Sequence, residues 1–233
     1  MQYEFPRPEE LHRAFPPSED EQYDGEAAQN PGCLSVLLFP PFSAALFGSI
    51  LLLGLSQVSF QSTPSPAHML ARLFTPQVLH WEPEILEWAH EHGLDPNLVA
   101  TVMQIESCGD PLAESQAGAL GLFQVMPYHF AVGENRFEPE ANAARGLDYL
   151  NRSLAHFNND AGMALAGYNG GIAGASRPQS EWAQETIDYM YWGENIYGDA
   201  LAGKTVSAAL EQWLAAGGAS LCAQAAQRVA ELH

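Results

Sequence analysis

The stretch from Leu34 to Phe60 contains no charged residue, and this constrains the chain more than any other feature. A helix that spans a bilayer needs about 20 apolar residues, and Phe42 to Phe60, after the Pro40-Pro41 pair, supplies that length. A buried core helix explains the stretch less well, because such helices usually keep a polar stripe. The sequence therefore predicts one uncleaved, single-pass transmembrane anchor over residues 34–60.

A cleavable signal peptide is the alternative for the same segment. The small residues around Ser65–Ala67 favour cleavage, whereas the long acidic segment before the apolar run, with no positive charge next to it, argues against cleavage. Charge alone leaves the orientation open, because Arg7 and Arg13 lie far before the apolar run and Arg72 lies soon after it.

Charge also excludes one class of partner. The chain has a formal net charge of −19 and only nine Lys and Arg residues. Nucleic acids are bound by clustered basic side chains, and no such cluster occurs, so we expect no nucleic-acid partner. Residues 1–33 hold eight acidic residues and two arginines without helical periodicity, which predicts a disordered acidic tail.

The remainder of the chain is typical of helices joined by short loops. Residues 61–78 begin with a Ser/Pro-rich linker. Residues 79–203 show helical periodicity nearly throughout, and residues 204–233 form an Ala-rich extension that we expect to contain two helices broken at Gly217-Gly218. With no strand-rich region, the sequence predicts an all-α globule.

Three cysteines occur in the chain: Cys33, Cys108 and Cys222. Their spacing matches no zinc or redox motif. A Cys108–Cys222 disulfide is possible outside the cytoplasm, but three isolated thiols are the state that we expect. The closest histidine cluster, around His90 and His92, has no Cys or acidic ligand at a metal spacing. We therefore predict no metal site and no cofactor.

One carboxylate, Glu106, closes an apolar helical row. Asp95 followed by Pro96 is a strong helix start. Four residues of this helix lie on one face: Val99, Val102, Met103 and Glu106. Burial of that face would raise the pKa of Glu106, and the negative end of the helix dipole would raise it further. An acid that stays protonated near neutral pH suits general acid catalysis, although position alone favours an ordinary Glu at a helix end.

The sequence after Glu106 favours a catalytic role over an ordinary Glu at a helix end, because several short motifs occur in a fixed order. They are Glu106-Ser107, Ser115, Gly118-Ala119, Gly121-Leu122-Phe123-Gln124, Met126-Pro127, Gly167-Tyr168-Asn169, and Glu185-Thr186 with Tyr189-Met190. Together they resemble the soluble-type lytic transglycosylase family, which is related in fold to goose-type lysozyme. The resemblance covers roughly residues 80–200. Phe123, Gly167 and Cys108 depart from the residues that are usual in the family.

The resemblance implies a lysozyme-like fold and a lytic transglycosylase catalytic domain over residues 79–203. Such an enzyme cleaves the β-1,4 bond between N-acetylmuramic acid and N-acetylglucosamine in peptidoglycan glycan strands. Glu106 would protonate the leaving oxygen and then act as a base. The muramyl 6-hydroxyl would close a 1,6-anhydro ring without water, so the enzyme would be a lyase.

The same match implies substrate-binding roles for further residues. Ser115 would hydrogen-bond Glu106 or the substrate N-acetyl group, and Gln124 and Tyr168 would hold the sugars. Three more residues would secure or line the cleft: Asn169, Glu185 and Tyr189. For Asn169 a backbone-securing role is favoured, for Glu185 a structural or cleft-lining role, and for Tyr189 core packing remains an equal alternative.

Two other functions remain open. Hydrolysis by the same acid, as in goose-type lysozyme, normally uses a second carboxylate, and Asp110 and Glu114 lie in a turn-like stretch that we interpret as solvated. A catalytically silent peptidoglycan-binding module on a membrane anchor is the other alternative. A peptidoglycan substrate implies that the domain lies on the extracytoplasmic side of the cell membrane, with the acidic tail inside.

Overall fold

The computed structural model describes residues 69–231. The predicted acidic tail over residues 1–33 and the predicted anchor over residues 34–60 lie outside the described residues, as do residues 61–68 of the predicted linker over residues 61–78. Within residues 69–231, none of the helices combines the length and the apolar composition needed to cross a bilayer.

The described part of the chain is helical, as predicted. Between residues 69 and 231 the only β-type pairings are isolated bridges of Leu120 with Glu114 and with Val125. The α-helices are α1 (Pro76–Leu79), α2 (Glu82–His92), α3 (Pro96–Glu106), α4 (Pro139–His156), α5 (Ala161–Gly170), α6 (Ile172–Ala175), α7 (Gln184–Leu201), α8 (Ala208–Trp213) and α9 (Ala219–Glu231). Short 3-10 turns cover Pro127–His129 and Gln179–Glu181.

Helix α3 is the central helix, and its start follows from the local sequence. The Asp95 side chain accepts a 2.8 Å hydrogen bond from the backbone N–H of Asn97, and Pro96 occupies the first turn, where no N–H is needed. Every residue from Leu98 to Ile105 is buried, so α3 is covered on all sides. At the C-terminal end of the helix, its last residue, Glu106, is partly accessible.

The helices after α3 enclose the end that carries Glu106. Helix α5 packs against both α4 and α7, and α7 also packs against α3. The buried face of α4 consists mainly of small and aliphatic residues, with one aromatic ring, Tyr149, and one amide, Asn142, among them. Two of the motifs of the sequence analysis, which end α5 and begin α7, are thereby brought beside the C-terminal end of α3.

The C-terminal segment folds back onto the domain. Helix α8 continues through a π-helical turn at Leu214–Gly218, and the chain kinks at Gly217, whose φ is 137°. The predicted break between two helices at Gly217-Gly218 is thus observed as a kink. Helix α9 then packs against α1.

The expectation of three isolated thiols is wrong, because Cys108 and Cys222 form a disulfide with their Cα atoms 5.0 Å apart. The two residues are separated by 114 positions. Rules based on local cysteine spacing do not detect such a pair. Only the packing of α9 beside the C-terminal end of α3 brings the two sulfur atoms together.

Candidate active site

Glu106 ends α3 in a pocket made by tyrosines. Its carboxyl lies close to Tyr189 and Glu185 of α7 and to Tyr168 of α5. Burial raises the pKa of Glu106 to about 8, and the negative charge of Glu185 also raises it, while the Tyr189 hydroxyl lowers it. Burial disfavours the charged form of a carboxyl, so Glu106 retains its proton at neutral pH.

Tyr189 is buried on α7, and its hydroxyl oxygen has no hydrogen-bond partner of ordinary geometry among the described residues. The hydroxyl nevertheless lies close enough to the Glu106 carboxyl to favour its charged form. Burial and the charge of Glu106 raise the pKa of Tyr189 well above its usual value. The hydroxyl therefore keeps its proton and can donate a hydrogen bond to a Glu106 carboxylate.

Tyr168 of α5 also lies near Glu106, but its hydroxyl is already engaged. Its hydroxyl donates a 2.7 Å hydrogen bond to the backbone carbonyl of Phe123. Burial and then the charge of Glu106 raise its pKa well above the usual value. Gly146 of α4 makes room for this contact, since a Cβ there would lie 2.6 Å from Phe123 Cβ and 2.9 Å from Tyr168 Oη.

The loop after α3 presents Gln124 in a strained conformation. The φ of Gln124 is 46°, which is uncommon for a residue other than Gly. Its side-chain Nε2 donates to the backbone carbonyls of Gly121 at 2.9 Å and Ala113 at 3.2 Å. The amide nitrogen therefore holds the loop, and the Oε1 side of the amide is what Gln124 offers to a ligand.

Ser115 closes a turn in the same loop. Its backbone N–H donates to the Ala119 carbonyl at 2.9 Å, and its Oγ accepts from the Ala119 N–H at 2.9 Å. The hydroxyl oxygen is thus engaged with Ala119 rather than with Glu106, one of the two partners expected for it. Its hydroxyl hydrogen can still be donated to a ligand.

Asn169 links the end of α5 to the start of α7. Its Oδ1 accepts a 2.8 Å hydrogen bond from the Thr186 hydroxyl, and its amide interacts with Glu185. Although much of the Glu185 side chain is exposed, loss of water on its protein side raises the pKa of its carboxyl, and the Asn169 amide lowers it. The structure therefore brings both residues to the side of the pocket where α7 begins.

Asp110 is not solvated as expected. It is 5% exposed, and its Oδ1 accepts a 2.9 Å hydrogen bond from the backbone N–H of Leu112. A carboxylate that caps a turn in this way is common for Asp. Glu114 is exposed, as expected.

Asn142 is a site residue that sequence reasoning missed. Its Oδ1 accepts from the Phe123 N–H at 2.8 Å, and its Nδ2 donates to the Leu120 carbonyl at 2.7 Å. A Cβ at Gly121, whose φ is 74°, would lie 2.5 Å from the Asn142 amide nitrogen. The available signal was an amide on the otherwise apolar face of α4.

A row of aromatic rings, also missed, leads outward from Tyr168. Its neighbouring ring centroids are 5.8 Å apart for Tyr168–Tyr149, 5.1 Å for Tyr149–His129 and 4.5 Å for His129–Tyr128. Tyr128, at the outer end, is 54% exposed. Burial and the nearby charge of Arg152 lower the pKa of His129 to about 4, so the row is neutral at pH 7.

Comparison with known proteins supports a family for this region. The family described as the Transglycosylase SLT domain matches residues 83–190. A transglycosylase of Enterobacteria phage PRD1 is 35% identical over 113 residues, which cover 48% of this chain and 40% of that protein. A membrane-bound lytic murein transglycosylase C of Actinobacillus succinogenes is 29% identical over 152 residues, which cover 56% of this chain and 40% of that protein.

The chain spans about two-fifths of the length of these two relatives. The lytic transglycosylase Slt of Pseudomonas aeruginosa, solved as an inactive mutant, aligns with a TM-score of 0.43 and 22% identity, covering 52% of this chain and 24% of that one. The matched segment contains α3, α4, α5 and the start of α7, with Glu106 at their junction. Residues 83–190 of this chain therefore match the Transglycosylase SLT domain family, in agreement with the resemblance found in the sequence.

Proposed function

We propose that the chain is a peptidoglycan lytic transglycosylase that cleaves the β-1,4 bond between N-acetylmuramic acid and N-acetylglucosamine, with Glu106 as acid and then base. The observation that carries the proposal is the protonated Glu106 at the junction of the family's motifs, where burial raises its pKa to about 8. General acid catalysis is most effective when the catalytic pKa lies near the working pH.

In the first step Glu106 donates its proton to the glycosidic oxygen, and the bond between that oxygen and the muramyl anomeric carbon breaks. The N-acetyl oxygen of the same sugar stabilises the positive anomeric carbon. The Glu106 carboxylate that results is stabilised by the nearby Tyr189 hydroxyl, because that interaction favours the charged form. The negative charge of Glu185 opposes this state, which keeps the carboxylate basic.

In the second step the Glu106 carboxylate removes the proton of the muramyl 6-hydroxyl, and the oxygen attacks the anomeric carbon. A 1,6-anhydro ring forms, Glu106 regains its proton, and no water is consumed. The reaction therefore needs one titratable group that changes state twice, which a pKa near neutrality permits.

Substrate contacts are part of the proposal. Ser115, Gln124, Tyr168 and Asn169 would surround the sugars, with Glu185 and Tyr189 lining the same cleft. The exposed Tyr128 and the rings behind it offer an apolar platform on which the C–H faces of a saccharide ring can pack. A neutral platform suits this contact better than a charged one.

The proposal also includes a lysozyme-like fold and a membrane anchor over residues 34–60. The catalytic domain would cover residues 79–203, and the C-terminal extension would cover residues 204–233. The Cys108–Cys222 disulfide supports an extracytoplasmic location, since disulfides persist in oxidising compartments. Relatives named membrane-bound lytic murein transglycosylase agree with this location.

Hydrolysis is the second candidate, because Glu185 is a second carboxyl whose charge acts on Glu106. Digestion of purified sacculi in ¹⁸O-labelled water separates the two reactions. We expect unlabelled anhydromuropeptides in the mass spectrum and none from Glu106→Gln. Labelled reducing-end muramic acid, lost in Glu185→Gln, would instead assign a hydrolase, and binding to sacculi without any product would assign a silent module.

A further inference from the structure

We propose that the Cys108–Cys222 disulfide is a positioning element of the acid site: it fastens the chain that follows Glu106 to α9, and Glu106 leaves its place beside Tyr168 and Tyr189 when the bond is absent. Its effect on rate rests on the proposed function, whereas the placement of Glu106 is measurable without turnover.

The backbone directly after Glu106 turns sharply. Ser107 ends α3 with a φ of −137°, and Cys108 has a φ of 51°. A residue with a Cβ is unfavourable in this left-handed region. Such a conformation persists where surrounding contacts impose it, and for Cys108 one of those contacts is covalent.

The two sulfur atoms lie at the centre of a buried cluster. Gln104, which precedes Cys108 by one helical turn, donates from its Nε2 to Cys108 Sγ at 3.1 Å and to Cys222 Sγ at 3.6 Å. The Gln104 Oε1 accepts from the backbone N–H and the hydroxyl of Thr75, both at 3.0 Å. The disulfide therefore joins the last turn of α3, the segment before α1 and α9.

Two hydrogen bonds fasten this turn to other parts of the domain. The Ser107 hydroxyl donates to the Leu122 carbonyl at 2.7 Å, and the Trp81 indole donates to the Gly109 carbonyl at 2.9 Å. Cys222 lies beyond residues 83–190, the matched domain. The disulfide thus attaches the end of α3 covalently to the C-terminal segment.

Release of this turn would change the surroundings of Glu106. The groups that act on it are Tyr189 and Glu185 from α7 and Tyr168 from α5. If the end of α3 becomes free, water reaches the carboxyl and the largest cause of its raised pKa is reduced. The pKa of Glu106 should then fall.

The bond forms by exchange. Closing it joins two thiol sulfurs and releases two electrons and two protons, which an external disulfide of the thiol–disulfide exchange class accepts by becoming two thiols. Cys108 is fully buried and Cys222 is 7% exposed, so we expect the bond to form as the protein matures and to be reduced only when α9 detaches.

The test measures the pKa of Glu106 directly, by NMR titration of the full chain with ¹³C-labelled Glu carboxyls. The Glu106 signal is assigned by its loss in Glu106→Gln. We expect a Glu106 pKa that is lower by about 1 or more in Cys222→Ser and in dithiothreitol-reduced wild type, with recovery on reoxidation, because water then reaches the carboxyl. Cys33→Ser is the thiol control. A Glu106 pKa that is unchanged in both Cys222→Ser and the reduced wild type would overturn the inference.

Activity on sacculi supplies the second measurement. We expect Cys222→Ser to lower kcat more than it raises KM, and to move the alkaline limb of the pH–rate profile to lower pH. Ile85→Ala, a buried substitution on α2, controls for lost stability and should leave that limb in place. If the alkaline limb stays at the same pH in Cys222→Ser, the disulfide supports stability only and does not position Glu106. Absence of anhydro products from oxidised wild type would count against the proposed function alone.

Discussion

The hydroxyl of Tyr168 donates its hydrogen bond to the backbone carbonyl of Phe123, at 2.7 Å. Helix α5 thereby holds the residue directly before Gln124, and the same ring stands beside Glu106. Tyr168, which the family resemblance assigns to sugar binding, thus also connects α5 to the loop after α3. The acid and the loop are positioned relative to each other by one phenol.

Tyr168→Phe should therefore reduce both stability and activity. The substitution leaves the Phe123 carbonyl without its partner, which costs about 1–3 kcal/mol for a buried acceptor. We expect urea unfolding to show this loss and kcat/KM on sacculi to fall. Tyr191→Phe is the matched control, because Tyr191 is 48% exposed and its hydroxyl makes a 3.3 Å bond to Gln212. Equal losses of stability and kcat/KM in the two variants would contradict this connecting role of Tyr168.

The stability of the protein should depend on pH through Glu106. Its folded-state pKa of about 8 lies above the value of 4.5 for an unperturbed Glu, so between these values the folded state holds a proton that the unfolded chain releases. The free energy of unfolding therefore falls as pH rises through this window. A pKa that differs by one between the folded and the unfolded state corresponds to about 1.4 kcal/mol.

Glu106→Gln isolates this contribution. We expect the variant to gain stability relative to wild type as pH rises, by a total of about 2–5 kcal/mol. Urea titrations of both proteins at about pH 5, 7 and 9 measure the difference. A difference that is the same at all three pH values would mean that the Glu106 pKa is not raised.

Tyr189→Phe should change the acid without harming the fold. The Tyr189 hydroxyl has no hydrogen bond of ordinary geometry within the described residues and favours the charged form of Glu106. Its removal should raise the pKa of Glu106 and move the alkaline limb of the pH–rate profile upward, with kcat lowered because the carboxylate intermediate loses a donor. We expect the free energy of unfolding to stay within about 0.5 kcal/mol of wild type. A downward movement of the limb would refute this role.

Asn142→Ala should loosen the loop that carries Gln124. The substitution removes the acceptor of the Phe123 N–H and one of the donors to the Leu120 carbonyl. The Leu120 carbonyl keeps its bond from the Val125 N–H, whereas an unpaired buried Phe123 N–H costs about 1–3 kcal/mol. We expect a lower melting temperature and faster hydrogen exchange at Phe123. Asn151→Ala, which removes one bond to the His92 carbonyl at the far end of α2, is the control and should leave exchange at Phe123 unchanged.

Much of the site was predictable because its signals are local. The N-cap at Asp95, the apolar row that ends at Glu106 and the ordered motifs all depend on neighbours within a few residues. Helical spacing predicted burial of the α3 face and a raised pKa for Glu106, but position alone still favoured an ordinary Glu at a helix end, and the ordered motifs were needed to favour a catalytic role. The all-α content of the described residues followed from the same periodicity.

Other features depend on irregular loop conformation or on contacts between segments that are distant in sequence. The engagement of Ser115 with Ala119, the burial of Asp110 and the Asn142 bonds arise from how one loop folds on itself and on α4. The Cys108–Cys222 disulfide was named only as the less favoured alternative, because its two cysteines are 114 residues apart and no local pattern joins them. No periodic pattern encodes such contacts.

The sequence by itself determined which helices form and which carboxyl one of them buries, because helix propensity, capping and spacing act within one or two turns. Only the tertiary structure decided which groups surround that carboxyl. The tyrosines of α5 and α7 and the disulfide to α9 reach the end of α3 through packing between helices, and packing depends on the shape of the whole core.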